Sequence, residues 1–216
     1  GGAEQEAGEW WKAMVETTRK VFADCPVTPD AVAGISFCSQ MQGLVLVDKE
    51  GIPVRRPMSY MDQRAGEELK KGIAHGLQIA GVNVGKLLTS LRLTGAVSSS
   101  VKDPLWKYHW VKGHEPDNFR RVWKWLDVKE YLILRMTGEA VMTRDSAYAT
   151  FLYDSRRGRG CWSEKLAQLF DVDMAHLPKI VEATDAVGGL TAQAASELGL
   201  VPGTPVFGGG GDASLI

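Results

Sequence analysis

Thr204-Pro205-Val206-Phe207-Gly208-Gly209-Gly210-Gly211-Asp212 puts four glycines and a carboxylate directly behind a short apolar segment. An apolar run bounded by glycine reads as a strand. Glycine lets a backbone approach a ligand closely and turn its N–H groups toward anionic oxygens. A carboxylate at the carboxyl end of such a strand stands where open α/β sheets bind their ligands. The residues alone leave two readings of Asp212: a general base that takes a proton from an attacking hydroxyl, or a turn aspartate behind a glycine run.

Working outward, Thr191 caps a helix carrying Ala195 and Leu198 and closed by Gly199, and Ser163 caps one carrying Leu166, Leu169 and Phe170. At the other end, Trp11, Met14, Val15, Thr18, Val21 and Phe22 recur at helical spacing, so residues 6–24 read as an amphipathic helix, ended by Pro26 and Pro29. Val32-Ala33-Gly34-Ile35-Ser36-Phe37 reads as a buried strand. Leu44-Val45-Leu46-Val47 is a second strand, and residues 52–54 return as a third after the turn at Asp48-Lys49-Glu50-Gly51. Residues 63–76 look helical, whereas 77–102, rich in Gly, Ser and Thr, show no clear pattern. Asp103 caps and Pro104 opens a helix to about residue 112; Glu115-Pro116-Asp117 opens a shorter one; residues 128–136 form another, stopped by Gly138. Strands, then helices, then a final helix-to-strand unit predict an α/β domain with helical insertions and no repeat or internal boundary.

The chain has 216 residues, 44% hydrophobic and 24% charged, with a net charge of −1. It can bury a real core, and its charge balance does not favour nucleic acid. Arg156, Arg157 and Arg159 sit among glycines and read as a solvated loop. Cys25, Cys38 and Cys161 form neither a CxxC pair nor a zinc spacing, which suits a reduced, cytoplasmic protein. No apolar run reaches the ~18 residues of a membrane span. The first residues show no signal peptide. A start at Gly1 and an end soon after Asp212 suggest a piece of a longer protein.

Two loops could carry binding. Ser39-Gln40-Met41-Gln42-Gly43 lies between strands, and its glutamines can donate to and accept from sugar hydroxyls; a plain polar connection is the alternative. Ser59-Tyr60-Met61-Asp62-Gln63-Arg64 combines an aromatic, a carboxylate and a guanidinium; a helix start with Asp62 capping is the alternative. His75, His109, His114 and His176 share no metal spacing and read as structural or surface residues, and most of the seven Trp read as core. No GxxxxGK[ST] or GxGxxG loop is present.

In order, these pieces resemble the FGGY family of carbohydrate kinases, most nearly its xylulose-kinase-like branch. Ala3-Glu4-Gln5 with Trp10-Trp11 is similar to "AEQ…WW", and residues 39–48 to "GQMHGLVLLD". Tyr60-Met61-Asp62-Gln63-Arg64 is similar to "WNDQR", and Lys107-Tyr108-His109-Trp110 to "KLLW". Trp125-Leu126, Lys129-Glu130-Tyr131-Leu132 and Thr137-Gly138-Glu139 match "WL…KDYL…LTGE". Gly203-Thr204-Pro205-Val206 and Gly211-Asp212 match "GTPV…GxGD".

The resemblance implies a ribonuclease-H-like, actin-type fold of two domains around a deep cleft. Residues 1–216 would be the sugar-binding N-terminal domain, without its opening β-hairpin and without the following C-terminal domain. It implies phosphoryl transfer from Mg-ATP to a sugar or polyol hydroxyl, with Asp212 as base. It implies a sugar pocket shaped by Met41, Gln42, Tyr60, Asp62 and Arg64, nucleotide phosphate near Gly210 and Gly211, no protein-held metal and no membrane or nucleic-acid partner; a homodimer stays open. Gln42 and Tyr60 stand where the family has His and Trp, which leaves glycerol, erythritol or another small polyol open beside a ketose, and also a non-catalytic sugar-binding relative. Met142-Thr143-Arg144-Asp145-Ser146-Ala147-Tyr148-Ala149-Thr150 only loosely echoes "TDYSDASGT" and receives no role.

Overall fold

A computed structural model describes residues 1–74 and 76–215, so the reading of His75 lies outside the described residues. The antiparallel strand pair Val45–Val47 and Lys124–Leu126 forms the wall between two cores. Successive side chains on a strand point to opposite faces. Leu44, Leu46 and Trp125 accordingly enter one core with Trp106, Tyr108 and Phe170. Val45, Val47 and Leu126 enter the other with Ile133, Met136 and Val206. Burial on both faces explains why Leu44-Val45-Leu46-Val47 is a continuous apolar run. Pro104–His114 packs on the first face and Val128–Thr137 on the second. Helix Ala7–Asp24 closes the second core through Ala7 and Trp11 and lies against helix Ala192–Leu198. The Trp11 indole donates to Glu197 across that contact at 2.5 Å.

The caps at Ser163 and Thr191 form as their residues predict, each hydroxyl accepting from an amide three positions on, and Gly138 and Gly199 close their helices in the left-handed conformation. Three readings change. Asp103 occupies the N-cap position, but its Oδ2 accepts from the Ser98 hydroxyl and the Ser100 amide, so it binds the turn before the helix instead of the helix itself. The stretch 77–102 is ordered as a hairpin, Gln78–Ile79 with Val82–Asn83, and a helix, Val84–Thr94. Asn83 caps that helix and Gly95 ends it, but Leu88 and Leu91 are exposed while Leu93 is buried, so its apolar residues follow no single face. The strand expected at 32–37 pairs instead from Ile35 to Ser39, and it is not buried: Ile35 and Phe37 are half-buried while Ser36 and Cys38 face out.

That strand runs parallel to the end of the chain. Ile35 donates to the Pro205 carbonyl and accepts from Phe207, the Gly210 amide donates to Phe37, and Cys38 and Ser39 pair with Gly210 and Gly211. The approach explains the glycines. A Cβ on Gly209 would lie 2.5 Å from the Phe37 carbonyl oxygen, and its φ of +67° is left-handed. A Cβ on Gly208 would meet the Glu182 carbonyl at 2.6 Å. Backbone, not ligand, is what these two glycines approach. A second parallel pair, Val141–Thr143 with Lys179–Val181, leads into helix Arg144–Ala149 beside the same strand end.

Candidate active site

The 40–43 and 59–60 loops, helix Arg144–Ala149 and the end of the glycine strand converge on an open cleft of about 750 Å³. Met41, Gln42, Tyr60 and Asp212 all line it. Asp212 begins the last helical turn, Asp212–Leu215, and is exposed; its Oδ1 accepts from the Ala213 amide at 2.8 Å. Tyr60 presents an exposed ring and Gln42 a side-chain amide. Gln40 also lines the cleft, but its amide donates to Gln5 at 2.8 Å. Of the four non-glycine residues at positive φ among the described residues, Gln42 (+64°) and Phe151 (+65°) both lie in this wall. Strained backbone of this kind persists where the surroundings over-determine it, as they do around binding sites.

Lys107 ties the two loops of the cleft together. Fully buried on helix Pro104–His114, its ammonium donates to the carbonyls of Gln42 at 2.9 Å and Ser59 at 2.8 Å. Burial pushes it down to about 8, against the pull of the Asp127, Asp62 and Asp103 carboxylates. Asp127 fixes the next residue of the first loop: its carboxylate accepts from the Gly43 amide and from Val128 at the start of the following helix. A Cβ at residue 43 would lie 2.5 Å from Asp127 Oδ1, which explains Gly43. Burial, then the charge of Glu130, raises Asp127 to about 7.

Asp62 and Arg64 lie behind the cleft wall. Asp62 is fully buried and accepts from the Ala3 amide at 2.6 Å and from the Arg64 amide and guanidinium. Burial alone would raise its pKa; these donors outweigh it and hold the carboxyl below its usual range. Arg64 also pairs with Glu4 at 2.7 Å and lies 4.8 Å from the Trp110 ring centroid. The pair braces the base of the Tyr60 loop.

The glycine amides are committed inside the protein: Gly208 to Asp185 O, Gly209 to Ala183 O, Gly210 to Phe37 O and Gly211 to Asp145 Oδ2. The backbone at Gly210 and Gly211 thus offers no free N–H to a phosphate. Among the described residues no three His, Cys, Asp or Glu converge as a metal cage. His109, His114 and His176 make structural contacts to Phe170 O, Trp110 O and the Tyr108 hydroxyl.

Sequence reasoning gave no role to Asp145 and Lys107, and did not single out Tyr148. Asp145 and Tyr148 line the cleft from the Arg144–Ala149 helix. Lys107 had a visible signal, a lysine enclosed by Leu105, Trp106 and Tyr108 on one helix. Asp145 had little, because its partner lies 66 residues away.

The fold matches the ligand-bound xylulose kinase from Lactobacillus acidophilus at TM-score 0.84, with 22% identity over 99% of this chain and 41% of that one. It matches the ADP-bound glycerol kinase of Plasmodium falciparum at 0.79, with 18% identity over 98% of this chain and 41% of that one. The class is therefore the ribonuclease-H-like, actin-type α/β fold of such kinases. More narrowly, the chain belongs to the FGGY family of carbohydrate kinases, whose N-terminal domain matches residues 1–215. A xylulose kinase of Staphylococcus epidermidis is 30% identical over 212 residues, which cover 98% of this chain and 39% of that protein. The chain thus spans about two fifths of the length of the curated relatives it matches.

Proposed function

We propose that the chain is the sugar-binding domain of a two-domain kinase that transfers the γ-phosphate of ATP to a hydroxyl of a ketose such as xylulose. The observation that carries this reading is an accessible carboxylate, Asp212, in one open cleft with hydrogen-bonding Gln42 and the exposed ring of Tyr60. Asp212 accepts the proton of the attacking hydroxyl as the sugar oxygen bonds to phosphorus and the bond to the β-phosphate oxygen breaks, releasing ADP. Phosphoryl transfer of this kind depends on positioning and charge stabilisation. Mg²⁺ arriving on the nucleotide would neutralise phosphate charge. Gln42 and Tyr60 bind the sugar beside Met41, and Asp62 and Arg64 act by bracing the Tyr60 loop. Gly210 and Gly211 carry Asp212 to the cleft; with their amides committed, most of the nucleotide contact falls to other parts of the enzyme.

Among the described residues no helix is long and apolar enough to cross a membrane, and the three cysteines are exposed and unpaired. Free thiols suit the cytoplasm, where we place the enzyme.

Asp212→Asn in the full-length protein tests the base. Loss of a general base lowers kcat by roughly 100-fold or more; a kcat within a few-fold of wild type sinks the assignment. Glycerol and other small polyols remain a second reading, since one matching structure is a glycerol kinase. A panel of ketoses and polyols in a coupled ADP assay separates the two, and turnover of none would favour a non-catalytic sugar binder.

A further inference from the structure

Behind the cleft floor lies a buried polar cluster that the sugar contacts do not use. Lys129, Glu130, Thr143 and Ser146 are all buried. The Lys129 ammonium donates to Glu130, to the Thr143 hydroxyl at 2.6 Å and to the Ser146 hydroxyl. Asp145 is the one member that reaches the cleft. Its Oδ1 accepts from the Thr143 hydroxyl and, at 2.9 Å, from the Ser146 amide, with the Lys129 ammonium 3.8 Å away. Its Oδ2 accepts from the Gly211 amide at 2.6 Å. Burial alone would raise the Asp145 pKa; Lys129, the Gly211 amide and the Thr143 hydroxyl outweigh it and keep the group ionised.

A charge-assisted bond of this length is strong and directional. It grips the Gly210–Gly211 peptide, one residue before Asp212, at the point where the strand ends and the last helical turn begins. Among the described residues Gly211 otherwise stands in register with Ser39 of the strand Cys38–Ser39, so this strand end is held by that pairing on one side and by Asp145 on the other. The Asp212 carboxylate has one hydrogen-bond partner among the described residues, the adjacent Ala213 amide. Its direction is therefore inherited from the backbone that Asp145 holds.

We propose that Asp145 is a positioning residue for the reaction: through the Gly211 amide it sets where Asp212 points in the cleft, and Lys129 with Thr143 fixes Asp145 in turn. This rests on Asp212 being the base. Misplacing a reacting group by about 1 Å can cost roughly 100-fold.

The test uses four variants of the full-length protein: Asp145→Ala, Asp145→Asn, Asp212→Asn and the Asp145→Ala/Asp212→Asn pair. Asp145→Ala is expected to lower kcat by roughly 100-fold with the sugar KM within about threefold. Asp145→Asn keeps an oxygen for the Gly211 amide and the same volume, so it should recover most of kcat and also serve as the folded control. In the Asp212→Asn background, Asp145→Ala should cost little more, because both changes disable one device. A kcat for Asp145→Ala within threefold of wild type, an Asp145→Asn as poor as Asp145→Ala, or full multiplicative losses in the pair would each overturn the proposal. A ¹⁵N-glycine spectrum provides a readout independent of activity: the Gly211 amide should lose its downfield position in Asp145→Ala and keep it in Asp145→Asn. If Asp212→Asn retains activity, the base reading fails, while the Gly211 signal still decides whether Asp145 holds that amide.

Discussion

Replacing Lys107 by methionine removes the ammonium and both of its hydrogen bonds while keeping much of the side chain's length. Two opposed effects follow. Burial pushes this lysine down to about 8. The gap to the ordinary value of about 10.4 corresponds to about 3 kcal/mol against the charged form in the folded state. Methionine abolishes that cost. It also strands the buried carbonyls of Gln42 and Ser59, at about 1–3 kcal/mol each. Near pH 7 the two effects largely offset, and Lys107→Met should fall between a gain of about 1 kcal/mol and a loss of about 3 kcal/mol.

The pH dependence separates them. Below pH 8 lysine is charged in both states, so the folded protein bears the whole cost of burial. Between about 8 and 10.4 the folded protein gives up a proton that the unfolded chain keeps, and stability rises with pH. Neutral lysine still donates, so the carbonyls stay paired. Urea unfolding of both proteins at intervals from pH 7 to 10.5 should therefore show the deficit of Lys107→Met growing by about 3 kcal/mol across that window. Parallel curves would refute the claim that a buried ammonium clamps the two loops.

Gly209→Ala places a methyl 2.5 Å from the Phe37 carbonyl oxygen and 2.8 Å from its nitrogen at φ +67°, so we expect a loss of about 3 kcal/mol or more by thermal unfolding. Gly113→Ala, in helix Pro104–His114 with open space around it, should instead stabilise by about 0.5–1 kcal/mol; equal effects at the two sites would defeat the close-approach argument. Asp127→Asn mimics the protonated carboxyl. Burial and Glu130 raise Asp127 to about 7, so the folded protein holds a proton that the unfolded chain releases between about pH 4 and 7, and wild-type stability falls as pH rises through that range. The variant should lose that slope in urea titrations, and an unchanged slope would exclude Asp127 as its source.

Local chemistry made much of the fold legible. Asn, Ser, Thr and Gly at helix ends act through bonds to neighbouring amides or through left-handed backbone, so residues such as Ser163, Thr191, Gly138 and Gly199 declare their role in sequence. The apolar run at 44–47 likewise read as a strand, though its burial on both faces is seen only in the fold. The stretch 77–102 resisted because its helix keeps leucines exposed on one side and buried on another, which erases the period. Asp103 resisted because two partners competed for one carboxylate, and the preceding turn took it.

The ordered motifs of the sequence determined the family, and with it the expectation of a carboxylate at a strand end. Five sequence-flagged residues, Gln40, Met41, Gln42, Tyr60 and Asp212, do line one cleft. Tertiary structure alone decided what surrounds them. Lys107 ties two loops, Asp62 and Arg64 stand behind the wall, and Asp145 grips Gly211 from 66 residues away. The glycine run changed most. In sequence it reads as a cradle for anions; in the fold its amides are bound internally, and Gly208 and Gly209 are small because neighbouring backbone lies within 3 Å of where a Cβ would stand. The physical reason is general: side-chain-to-backbone bonds within a turn are written in adjacent residues, whereas close approaches between distant segments exist only once the chain has folded.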